Sequence, residues 1–208
     1  MTTLELPTIE PLYDVIQLPN RHKWTRAEVQ RMGEAGLFPS DERYELLFGE
    51  LVKKMGMKRP HAGVLLLLDA MLRAIFGVGW VLRVQLPFVA DDQSEPEPDV
   101  AVVEGSVNDA FAEHPRQAAL IVEISDSTLA FDLGAKAALY AQSGVEDYWV
   151  IDINHRLIYI HRTPVISPAL PGGAGYQTVT RLTENDQITP LAAPQNSFSV
   201  ADILPPKP

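Results

Sequence analysis

The chain has 208 residues, 46% apolar and 21% charged, with no cysteine. That length holds one domain with a real core and leaves little room for two, and the missing cysteine excludes thiolate zinc sites, disulfide frameworks and cysteine nucleophiles. The formal charge of −10 is uneven: residues 1–90 carry 11 Lys+Arg against 10 Asp+Glu, residues 91–208 carry 6 against 17, which argues against tight non-specific nucleic-acid binding through counterion release.

Residues 1–23 hold prolines and no sustained periodicity and read as an extended arm, leaving 24–208 as a single domain. The arm lacks a basic start followed by an apolar core, so no signal peptide is expected. No apolar run reaches about 18 residues, so no membrane span is expected either. A soluble cytoplasmic protein follows. Thr25 with Glu28 three residues on forms a capping box for a short helix ending near Gly36. RYELLFGELVKKM predicts strand, tight turn at Phe48-Gly49, strand. HAGVLLLLDAMLRAIFG has helical apolar spacing and predicts a core-packed helix closed by Gly77. The basic residues Lys53, Lys54, Lys58, Arg59 and Arg73 read as a solvated loop and helix face.

WVLRVQLPFVA alternates, with Val81, Arg83 and Gln85 on one side, and predicts a half-buried strand. DDQSEPEP turns the chain; its acids suit a hairpin loop better than a second metal cluster. PDVAVVE and LIVEIS are nearly continuous apolar runs, as expected of strands inside a sheet covered on both faces. GSVNDAFAEHPRQ between them is a loop with room for one helical turn. A helix capped at Ser127 or Thr128 should run to about Ser143. DYWVIDI and RLIYIHR are strands joined at Asn154-His155, with Asp152 as a turn former. SPALPGGAG is a surface excursion, GYQTVTRLT a further strand and SFSVADIL a short terminal element. The fold expected is α/β, a mixed central sheet flanked by helices.

Three polar residues stand out on this apolar frame. Asp99 opens one buried strand, Glu123 lies inside the next, and Lys136 sits on the following helix with Asp132 and Tyr140 at spacings of four. Adjacent strands lie about 4.8 Å apart, so two such carboxylates can meet. Uncompensated, they would repel, and one would keep its proton. A hard divalent ion removes that conflict and suits phosphodiester hydrolysis, which needs charge stabilisation and an activated water. The structural alternative stays open: a strand acid often belongs to an edge or an ion pair, and Asp132 with Lys136 could be a surface i,i+4 pair. Tyr140 could bond a site carboxylate or simply pack. No phosphate-loop or nucleophile-elbow motif is present.

YELLFGELV, then His61 opening an apolar helix, then PDVAVV, LIVEISDST and DLGAKAALYAQSGVEDYWVID together resemble the Uma2 family of restriction-endonuclease-like proteins. That family falls in the PD-(D/E)xK nuclease superfamily. The likeness runs from about Trp24 to Leu204, and its most specific part is the order PD, ExS, D-x-x-x-K-x-x-x-Y. It implies a restriction-endonuclease-like core and a Mg2+- or Mn2+-dependent DNA endonuclease. Asp99, Glu123 and the carbonyl of Ile124 would be metal ligands. The usual lysine position, two residues after the acid, is Ser125 here, so the role passes to Lys136. The family's leading acid matches Glu45 or Glu50, and Glu50 stands beside His61 among the catalytic candidates. His61 would bind phosphate or water, or else face solvent at the helix start. A homodimer would suit duplex cleavage. The competing expectation is an inactive nuclease fold serving as an interaction or regulatory module.

Overall fold

The computed structural model describes residues 21–206; residues 1–20 of the expected arm lie outside them. Six strands form one sheet in the order β3 (Trp80–Val84), β4 (Val100–Glu104), β5 (Leu120–Ser125), β6 (Asp147–Asp152), β7 (Leu157–Ile166), β8 (Ala174–Thr183). The β5–β6 pair is parallel and the other pairs of this sheet are antiparallel. A parallel pair needs a crossover. Here it is helical: α3 (Leu129–Phe131), a π-helical segment (Asp132–Lys136) and α4 (Ala137–Gln142). The topology therefore lays Lys136 and Tyr140 over β5.

Both faces of the sheet are covered, which is why β4, β5 and β6 read as nearly unbroken apolar runs. On one face, Val64, Leu68, Leu72 and Phe76 of α2 (Arg59–Phe76) pack on Val100, Val102, Val122 and Trp149. On the other, Ala137 and Tyr140 pack on Ala101, Ile121, Tyr148 and Val150. Among the described residues, no helix is long and apolar enough to cross a membrane.

The capping box at Thr25 and Glu28 starts α1 (Arg26–Glu34). The expected hairpin is present as β1 (Tyr44–Leu47) and β2 (Glu50–Lys53), a separate two-stranded sheet. Phe48 and Gly49 both take positive φ, 51° and 75°, as the twist-matched two-residue turn demands. Backbone bonds fasten the hairpin to the acidic turn: Gly49 N–H to Gln93 O at 2.7 Å and Glu95 N–H to Leu46 O at 2.7 Å. A second small pair, β9 (Gln187–Ile188) with β10 (Phe198–Ser199), closes the chain.

Two expectations are corrected. The strand expected over WVLRVQLPFVA ends at Val84, because Gln85 turns into the left-handed region at φ 50°. The helix expected from Ser127 or Thr128 to Ser143 is not uniformly α: its middle five residues are π-helical.

Candidate active site

The β4–β5 ladder ends at Val100 opposite Val122. One step further, Asp99 stands opposite Glu123, so both side chains leave the same face of the sheet, the face of Ala101, Ile121 and Tyr140. Where a backbone bond would continue the ladder, Asp99 substitutes its side chain: Oδ2 accepts the N–H of Ile124 at 2.8 Å. Its other oxygen, Oδ1, takes Gln85 Nε2 at 3.0 Å and faces His61 Nε2 at 2.9 Å. His61 comes from the first turn of α2, where Pro60 is tolerated because its missing N–H would be unpaired anyway.

Glu123 is held from the opposite side. Its Oε1 accepts Lys136 Nζ at 2.9 Å and Tyr140 O–H at 2.7 Å. Oε2 takes neither of these bonds. The hairpin adds Glu45, whose Oε2 lies 3.5 Å from Lys136 Nζ and whose Oε1 lies 3.0 Å from Lys54 Nζ. Glu97 N–H also donates to Glu45 Oε1, at 3.2 Å. Asp132 accepts Thr128 Oγ1–H at 2.6 Å. Glu45, Asp99, Glu123, Asp132 and Lys136 are all buried.

The charge balance is lopsided: four buried carboxylates face one buried ammonium, with Lys54 and His61 at the margin. Burial pushes the Asp99 carboxyl up, but His61, Gln85 and the Ile124 N–H outweigh it and hold it below the usual range. Glu123 goes the other way. Burial drives it up, Lys136 pulls it down, and Asp99, Asp132 and Glu45 push it up again, to about 8. Burial also raises Asp132 against Lys136, Thr128 and Ser125. Burial alone would lower the Lys136 amine; Glu123, Glu45 and Asp132 reverse this and hold it above the ordinary lysine range. Lys136 is a fixed cation here and no proton acceptor.

Of the expected site residues, Asp99, Glu123, Ile124, Lys136 and His61 lie in one buried cluster, and Tyr140 joins them. Glu50 does not. It pairs at the surface with Arg21 at 2.9 Å and Lys23 at 2.8 Å, and Glu45 occupies the inner position. The reason is register: Glu50 and Leu47 pair across the turn, while Glu45, two residues further from it, reaches the sheet. Asp132 and Lys136 form no surface pair, since both point inward. Sequence reasoning passed over Gln85 and the inner position of Lys54. Gln85 carried a signal only in part, as a polar residue closing an apolar strand. Its left-handed backbone, unusual outside glycine and costing about 1–3 kcal/mol, is held by N–H bonds to Pro98 O and Asp99 O, both 3.2 Å.

The donor set bears on which cation would fit. Among the described residues, no three His, Asp or Glu side chains gather around one point as ligands would. Two side-chain acids are what Asp99 and Glu123 provide. Ile124 sends its N–H towards Asp99, and in an extended strand the carbonyl of the same residue points the same way. An ion held by those two carboxylates and one carbonyl would complete its shell with water, a donor set of the Mg2+ or Mn2+ kind and not that of a closed zinc site.

The sequence matches the Uma2 family model, described as "Putative restriction endonuclease", over residues 26–201. The fold is similar to a crystal structure from Anabaena variabilis described as "a putative nuclease belonging to DUF820". The TM-score is 0.63 at 15% identity, covering 86% of this chain and 96% of that one. At that identity the likeness speaks for the fold. No curated protein matches the sequence.

Proposed function

The chain belongs to the Uma2 family of restriction-endonuclease-type proteins, and from that premise we propose that it is a Mg2+-dependent endonuclease hydrolysing phosphodiester bonds in DNA. The observation that carries the reading is the buried cluster in which Asp99 and Glu123 leave the same sheet face and Lys136 touches Glu123, with more carboxyl groups than cations. Buried carboxylates in this number are costly without positive compensation.

Asp99 and Glu123 would hold the ion, with the Ile124 carbonyl. When bound, Mg2+ supplies Lewis acidity to the phosphoryl oxygens and lowers the pKa of a coordinated water. The chain's own residues do the rest. His61, Gln85 and the Ile124 N–H fix both oxygens of Asp99, so its orientation costs nothing at the moment of reaction. Tyr140 and Lys136 hold Oε1 of Glu123 and leave Oε2 outside these two bonds. Lys136, permanently charged between Glu123 and Glu45, stabilises charge developing on the phosphoryl oxygens and orients water by donating hydrogen bonds. Duplex cleavage needs two such sites, which a homodimer would bring.

Supercoiled plasmid tests this. Wild-type protein in MgCl2 should nick it, EDTA should stop the reaction, and Asp99→Ala and Glu123→Ala proteins that stay folded should lose at least about 100-fold in rate. No cleavage of any nucleic acid by the wild type, with no Mg2+ binding by calorimetry, would instead favour an inactive nuclease fold that serves as an interaction module.

A further inference from the structure

Arg83 lies on β3, the edge strand of the sheet, opposite Ala101. It is 5% exposed, and among the described residues no carboxylate pairs with it. Its Nη2 donates to Pro87 O at 3.2 Å and faces His114 Nδ1 at 3.3 Å. Nε is buried with no partner. Arg83 lines a cleft of about 340 Å3, with the exposed Arg116 and Gln117 on its wall. Buried cations are normally matched by an anion. Here the matching group is missing from the protein.

Arg83 is the residue of the cleft that lies nearest along β3 to the acids. Arg83 and Gln85 are alternate residues of one chain segment, and Gln85 holds Asp99. Arg83 therefore shares the sheet face of Asp99 and Glu123, about 7 Å along the strand direction. Glu104, Asp109 and Glu113 also line the cleft. Asp109 is engaged by Ser106, through N–H at 2.6 Å and Oγ–H at 3.0 Å. The two glutamates are exposed, where water and salt screen them; Arg83 has no such screening.

We infer that this cleft is a phosphate subsite, in which Arg83 takes a backbone phosphate of the same nucleic-acid strand whose neighbouring phosphodiester lies at Asp99 and Glu123. Arginine suits the task because its planar fork matches phosphate oxygens. The inference rests on the nuclease reading of the acids and extends it to how the strand is held.

The test is binding of a short fluorescent DNA duplex by anisotropy, in CaCl2, across a range of KCl concentrations. Arg83→Met should weaken binding about tenfold and lower the slope of log K against log salt by about one, the signature of one lost phosphate contact. Arg83→Lys should keep the slope, and Arg83→Gln serves if the Met variant does not fold. In parallel, inorganic phosphate should shift the 15N resonance of the Arg83 Nε. Wild-type protein that nicks plasmid while Arg83→Met keeps affinity and slope would overturn the subsite and leave the acid-centred reading intact. A phosphate-induced shift in a protein that binds no DNA would assign the cleft to a free anion and overturn the strand assignment. No response to either probe would overturn it outright.

Discussion

Lys136 decides the electrostatics of the hollow. It touches Glu123 at 2.9 Å and Glu45 at 3.5 Å, all three side chains being buried. Removing one partner of a buried pair strands the other, at a cost of roughly 3–5 kcal/mol, while neutralising both can be nearly free. Lys136→Met should therefore lower the urea-denaturation stability sharply. Adding Glu123→Gln should recover a large part of the loss, although it removes a further polar contact. Additive losses in the double variant would show that the two groups are not coupled. The same contacts explain why Glu45 and Glu50 could not be separated from sequence. Both are single acids on a short hairpin, and which one turns inward depends on how that hairpin docks against residues 91–98, a non-local matter.

At the scale of elements, the strands and the long helix were legible because burial on both faces writes itself as unbroken apolar runs. β4, β5 and α2 lie close to the expected segments. The order PD, ExS, D-x-x-x-K was legible too, since few other polar residues interrupt those runs. The π-helical segment was not. Asp132 and Lys136 both face inward, and a spacing of four shares one face in an α-helix too, so nothing in the spacing signals the π geometry. Arg83 was equally hidden, because an alternating strand does not reveal whether a charged residue on it meets a partner. Gly134 lies in the π segment, exposed, with φ outside the left-handed region and nothing near the position of a Cβ. Gly134→Ala should thus raise stability by about 0.5–1 kcal/mol through the unfolded chain's entropy, with plasmid nicking retained. A loss of stability in thermal melts would mean that the π geometry itself needs glycine.

For the molecule as a whole, acid sensitivity has an identifiable source outside the acid cluster. His161 on β7 is buried against Tyr148 and Tyr176, at ring distances of 5.3 Å and 5.5 Å. Burial lowers its pKa from 6.5 to about 4, against hydrogen bonding at Tyr148 and Tyr159 that raises it. Below pH 6.5 the unfolded chain then binds a proton that the folded one refuses. Stability from this group is intact above pH 6.5 and drains away as pH falls towards 4, by roughly 3 kcal/mol in all. His161→Phe should flatten that part of the pH–stability curve; identical slopes for the two proteins would contradict it. The same whole-molecule view accounts for the uneven charge. The second half carries most of the acids, so on the function proposed above nucleic acid would come in past Lys54 and His61, the cations that touch Glu45 and Asp99.

The central claim is that one divalent cation joins the side chains of Asp99 and Glu123. Anomalous diffraction from crystals soaked in MnCl2 tests it most directly. The expected result is a peak between those two carboxylates, at about 2.0–2.2 Å from one oxygen of each, gone in crystals of the Asp99→Ala protein. Crystals that bind manganese elsewhere, or hold none with both acids still tied to their present protein partners, would contradict it.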